Sequence, residues 1–190
     1  PPQEMLDILS KNDVTLSNHS WGRVAGWSYN GSWQWYGDES ISETEDYSFG
    51  FYSGDTKSWD DIAYNNPYFT IVKSAGNDRS DSGDGAHPPD GPYDIIGTRG
   101  CAKNIITVGA VNKISAMYSS AEDVVMSSFS SWGPTDDGRI KPDIVGAGVA
   151  IYSSISSADD AYGRLQGTSM SAPNVTGTLG LLQQLNKNIN

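Results

Sequence analysis

The run Ile105–Val111, Ile-Ile-Thr-Val-Gly-Ala-Val, has almost no polar interruption. Tyr68–Ala75 is also largely apolar and stops on Gly76-Asn77-Asp78. Such runs suit strands covered on both faces, which is the condition of a parallel sheet. Shorter strands are expected at Val14–Ser17, and at Asp143–Val145 and Val149–Tyr152 around Gly146-Ala147-Gly148. Residues 3–11 set Met5, Ile8 and Leu9 on one helical stripe, with Asn12-Asp13 as the stop. A last helix follows Gly167-Thr168-Ser169, with Ala172, Val175, Leu179 and Leu182 on one face. Helices and apolar strands in alternation give an α/β class with a parallel sheet.

One segment has another texture. Trp27–Tyr36 holds five aromatic side chains, and Asp38 to Asp61 holds eight carboxylates against Lys57 alone. Residues 23–54 therefore read as a loop-rich insertion within a single domain of residues 1–190, followed by a short helix at Ser58–Tyr64 that ends before Pro67. The aromatic cluster is read as anchoring that insertion on the core.

Composition narrows the partners. The chain has 190 residues and a net charge of −11, which repels nucleic acid and anionic bilayers. No run of 18 apolar residues is present, so no membrane span is expected. Cys101 is the single cysteine. An internal disulfide is thus impossible, a cysteine metal cage has no ligands, and a buried, unreactive thiol is expected. The chain opens on Pro1-Pro2-Gln3 and reads as a mature product or part of a longer protein.

Three motifs carry chemistry. In Gly167-Thr168-Ser169-Met170-Ser171-Ala172-Pro173, a serine stands at the first turn of an apolar-striped helix. There the unpaired N–H groups and helix dipole favour a developing oxyanion. Pro173 is expected within the opening turn, where its missing N–H is harmless. The plainer alternative is that Thr168 or Ser169 only caps the helix. In Val72-Lys73-Ser74-Ala75-Gly76-Asn77, a buried strand ends at the sheet edge where ligands bind. Asn77 is either a turn residue or an amide donor to an oxyanion. Leu16-Ser17-Asn18-His19-Ser20-Trp21-Gly22 is a further strand running into small residues.

Together these motifs resemble the subtilisin-like serine peptidases, the subtilase family. Gly167–Pro173 matches that family's G-T-S-M-[AS]-[AS]-P signature, Ala75-Gly76-Asn77 its oxyanion turn, and Asn18–Gly22 its N-x-S-x-G substrate strand. Ser127–Pro134 and Lys141–Val145 match a further family block. The resemblance implies a three-layer subtilisin-like fold and peptide-bond hydrolysis by a Ser, His and Asp triad. Carried over, Ser169 is the nucleophile and Asn77 the oxyanion donor. Ser20, Trp21 and Gly22 bind substrate as an added strand, and Ser74, Ala75 and Gly76 wall the pocket for the residue before the cut. The resemblance further implies a polypeptide partner and an extracellular location.

Departures from the family set the remaining expectations. Neither His19 nor His87 lies in the family's H-G-T block, so neither is assigned as base. The strands bearing Asp and His are expected upstream, leaving an incomplete fold, inactive alone, that pairs with itself or with the missing part. No cofactor is required. Calcium is the one candidate ligand, in the oxygen-rich loop 77–84, against the plainer reading of solvated charge. Asp78 favours a cationic or polar substrate residue. Two other classes compete: a non-catalytic binding module, and a sedolisin-type acid peptidase, whose oxyanion donor is an Asp where this chain has Asn77.

Overall fold

The apolar runs do form a parallel sheet in the computed structural model, which describes residues 2–11, 13–114 and 117–189. In chain order the elements are α1 (Pro2–Lys11), β1 (Leu16–His19), β2 (Trp27–Tyr29), β3 (Trp33–Trp35), α2 (Gly54–Asn65), β4 (Thr70–Ser74), β5 (Ile106–Val111), β6 (Ile144–Ala147), β7 (Ile151–Ser154), β8 (Tyr162–Leu165) and α3 (Thr168–Ile189). The main sheet runs β1-β4-β5-β6. All its pairs are parallel, with His19 beside Lys73, Val72 beside Ile106 and Val108 beside Ile144. One side of β1 is a free edge of that sheet.

Alternation along β4 builds two cores. Ile71 packs with Met5, Trp59, Ile62 and Phe69 of the α1 and α2 layer, while Val72 and Val108 pack with Ala172 and Val175 of α3. The result is the expected three layers, helix on sheet on helix. Each fully buried apolar side chain contributes about 1.5–3 kcal/mol, so the two cores fix where β4 ends and α3 begins.

Several boundaries differ from expectation, each for a local reason. α2 starts at Gly54 rather than Ser58 because Ser53 caps it, its hydroxyl accepting from Thr56 N–H in a capping box. Strand β1 lies two residues later than Val14–Ser17. Leu182 is 54% exposed, so only Ala172, Val175 and Leu179 of its stripe meet the sheet. Ile8 is likewise exposed, while Met5 is buried and Leu9 packs beside it. Asn12, half of the expected stop of α1, lies outside the described residues. β7 leaves the main sheet and pairs antiparallel with β8, a strand the sequence did not suggest.

Residues 23–54, expected to be rich in loops, contain an antiparallel hairpin, β2 with β3. Trp27 is 2% exposed, and its indole N–H donates to Pro88 O at 2.9 Å. Cys101 is fully buried, which pushes its thiol up to about 12. Among the described residues no helix is long and apolar enough to cross a membrane.

Candidate active site

Helix α3 packs on β1, β4, β5 and β6, so its first turn stands over the carboxyl ends of β1 and β4. Two glycines make that approach feasible. Gly76 has φ 119°, and a Cβ there would lie 2.7 Å from both the Asp78 carboxylate and Ser131 Oγ. Gly167 has φ 143° and turns the chain into α3.

Thr168, buried at this junction, fixes Asn77. Its backbone N–H donates to Asn77 Oδ1 at 2.9 Å, and its hydroxyl Oγ1 lies 3.0 Å from the same oxygen. Gly76 N–H donates to that hydroxyl in turn, at 3.2 Å. An N–H can only donate, so the amide must present Oδ1 to Thr168 and hold Nδ2 away from it. Among the described residues Nδ2 has no acceptor. The point where a Cβ on Gly167 would stand is 3.5 Å from Asn77 Nδ2 and 3.6 Å from Ser169 N. Two donors thus border a space that Gly167 keeps open, at the positive end of a 22-residue helix.

Ser169 Oγ donates to the Ser20 carbonyl at 3.0 Å, tying the first turn of α3 to the end of β1. Trp21, Gly22, Ser74, Gly76, Asn77 and Ser169 together line a cleft of about 210 Å³. Ser74, Ala75 and Gly76 also wall an adjoining pocket of about 310 Å³. All eight residues singled out in the sequence therefore meet at one sheet edge. Pro173 is the sixth residue of α3, past the opening turn, so it leaves the Ser169 carbonyl without its helical donor.

Charge is unevenly placed around this edge. Lys73 is 5% exposed, and its ammonium donates to Ser74 O at 2.7 Å and to Ser74 Oγ at 3.1 Å. Burial, reinforced by Arg99, pulls it down to about 8. Burial raises the Asp78 carboxyl above its usual range although Ser131 Oγ donates to it at 3.2 Å. Burial and then the Asp78 charge lift Asp81 to about 6.

Neither histidine hydrogen-bonds to Ser169. His19 Nε2 is 2.8 Å from Ser17 Oγ and its ring packs edge-on to Trp59 at 4.8 Å; burial, then the Lys73 charge, lowers it to about 4. His87 stacks on Trp35 at 4.6 Å, with Glu39 at 3.2 Å and the Glu43 carbonyl at 3.1 Å. Among the described residues no group of three or more His, Cys, Asp or Glu side chains is placed to hold a metal ion. In loop 77–84 the Asp84 carboxylate accepts from Ala86 N–H at 3.0 Å.

Sequence reasoning gave Thr168 no role beyond capping and gave Lys73 none. The signal for Lys73 was visible: a cation inside an otherwise apolar strand.

The chain is 48% identical over 83 residues to C5a peptidase of Streptococcus pyogenes, a stretch covering 44% of this chain and 7% of that protein. It is 33% identical over 131 residues to serine protease AprX of Bacillus subtilis, covering 63% of this chain and 27% of AprX. The chain thus spans only a small share of these relatives' length. Among solved structures, the patellamide maturation protease PatA aligns with a TM-score of 0.62 at 18% identity, over 98% of this chain and 51% of PatA. That likeness concerns the fold. The decisive match is to the Subtilase family over residues 3–190: the chain belongs to the subtilases, peptidase family S8.

Proposed function

We propose that this chain supplies the nucleophile and the oxyanion site of a serine endopeptidase. The observation that carries the reading is the pair of donors, Asn77 Nδ2 and Ser169 N–H, bordering one open space beside the Ser169 hydroxyl. As Ser169 Oγ attacks a peptide carbonyl, the new negative charge on its oxygen is met by these donors, aligned beforehand by Thr168. The tetrahedral centre then collapses, expels the amine and leaves an acyl group on Ser169, which water removes. Ser20 and Gly22 hold the substrate backbone as an added strand, with Trp21 beside them, and Ser74-Ala75-Gly76 form the wall for the side chain before the cut.

In this proposal the general base and the Asp that orients it come from sequence upstream of this chain, because His19 and His87 are engaged with other groups. The free edge of β1 is where that upstream part, or a second copy, pairs. Polypeptides are the substrate class, the parent protein works outside the cell, and no metal takes part in the chemistry; calcium is confined to a supporting role.

A second reading, a binding module without catalysis, is favoured by the bond from Ser169 Oγ to the Ser20 carbonyl in place of one to an imidazole. The two separate in the assembled peptidase. Asn77→Ala should lower kcat by about 10²–10³-fold with little change in KM. An unchanged kcat removes Asn77 from the mechanism and with it the oxyanion reading.

A further inference from the structure

The pocket of about 310 Å³ behind the Ser74–Gly76 wall has a charge the sequence motifs do not disclose. Three cations line it, Arg23, Lys73 and Arg99, against two carboxylates, Asp55 and Asp78. Asp55 is already committed, because Arg99 Nε holds its Oδ2 at 2.6 Å. Asp78 is turned to Ser131 Oγ and lies over Gly76. Lys73 and Arg23 have no carboxylate within 4.0 Å among the described residues. Both also line the cleft that holds Ser169, so both stand where the cleft opens into the pocket.

A buried ammonium with no carboxylate in contact is costly even with the Asp78 charge nearby, and the cost falls when an anion arrives. In a chain of net charge −11, gathering three of twelve cations on one pocket is also unexpected unless the pocket meets negative charge. Phe49 and Phe51 supply apolar walls for methylene groups. We infer that this pocket accepts an acidic substrate side chain, glutamate before aspartate, and that Lys73 with Arg23 determines that specificity. Asp78 alone points to a cationic side chain; Lys73 and Arg23 reverse the sign. The inference rests on the substrate-cleft reading above, and its test separates the two.

Fluorescein-labelled Ala-Ala-Ala-X amides, with X as Glu, Gln, Leu or Lys, are titrated against the 190-residue chain by anisotropy. The Glu peptide should bind about tenfold more tightly than the Gln and Leu peptides, with Lys weakest. Lys73→Met, close in length and suited to a buried site, should remove the preference for Glu and leave the Leu affinity as it was. Should that variant fail to fold by circular dichroism, Arg23→Gln at the exposed rim should still cut the Glu preference about threefold. Equal binding of Glu and Gln, or tighter binding of Lys, overturns the inference and leaves the cleft standing. No binding of any of the four overturns both.

Discussion

At the carboxyl edge of the sheet, Val72 and Val108 meet Ala172 and Val175, and this apolar contact sets the site. The segment from residue 23 to 54 is held differently. Asp46 accepts from Gly26 N–H at 2.8 Å, Asp90 accepts from Trp27 N–H at 2.9 Å, and His87 is clasped between Trp35 and Glu39. Carboxylates there add to a small apolar cluster of Ala25, Phe49 and Ile95. The lesson is that one domain sets its candidate site by apolar burial beneath it and ties down residues 23–54 with polar clasps as well.

The widest contrast is catalytic. In the assembled peptidase Ser169→Ala should lower kcat by about 10⁴–10⁶-fold with folding unchanged, whereas Trp33→Ala in the hairpin should leave kcat within about threefold of wild type. Comparable losses in steady-state kinetics would erase the division between site and hairpin. Stability should show the next largest effect. Trp59→Ala, which empties a fully buried position under β4, should cost about 3–5 kcal/mol in urea unfolding. Trp33→Ala, half-buried on the hairpin, should cost about 1 kcal/mol. A Trp33 loss as large as that of Trp59 would make the hairpin part of the core.

Within the site, Thr168→Val removes the hydroxyl that holds Asn77 but keeps the backbone N–H bond. We expect about a tenfold fall in kcat with KM unchanged. A change in KM alone would mean that Thr168 shapes binding rather than the oxyanion donor.

The smallest effect is on pH. Burial first, with neighbouring acids second, holds Asp81 at about 6 and Asp94 at about 6. Burial, opposed in part by the Trp27 N–H bonds, holds Asp90 at about 7. Each is raised above the ordinary aspartate value of 3.8, so the folded chain binds more protons than the unfolded one between these values. Their contribution is complete below pH 4 and lost as pH rises through 6 to 7. His19, lowered to about 4 from 6.5, opposes them, its contribution growing from pH 4 to 6.5. The carboxyls outnumber it, so the chain should be about 1 kcal/mol more stable at pH 5.5 than at pH 8 after solvent screening. Asp90→Asn should flatten that slope, and thermal unfolding at the two pH values checks it. A slope unchanged in the variant would place the titration elsewhere.

The same division explains what was legible in the sequence. Ile105–Val111 and the Gly167–Pro173 signature are local patterns, and burial on both faces leaves few other ways to read them. The hairpin was missed because Trp27 and Trp35 are fixed by Asp90 and His87, residues more than fifty positions away, and no local periodicity records such contacts. Leu182 was misjudged because helical spacing tells which residues share a face but not where the sheet beneath them stops. Ser169, Asn77 and their neighbours are singled out by motif, and the fold brings them to one sheet edge. The clamp by Thr168 and the open charge of Lys73 required three dimensions, since each depends on which atom faces which.

The most direct test uses the chain as it stands. The purified 190 residues are incubated with a fluorogenic peptide and, separately, with a serine-directed phosphonate. In the proposed function the base for Ser169 lies outside these residues, so its hydroxyl should stay protonated here and be a poor nucleophile. No turnover and no stoichiometric labelling are expected, with both appearing once the part proposed to bear His and Asp is added. Stoichiometric labelling of Ser169 in the 190-residue chain, with turnover that Ser169→Ala abolishes, would show that these residues contain their own base and would contradict the proposal.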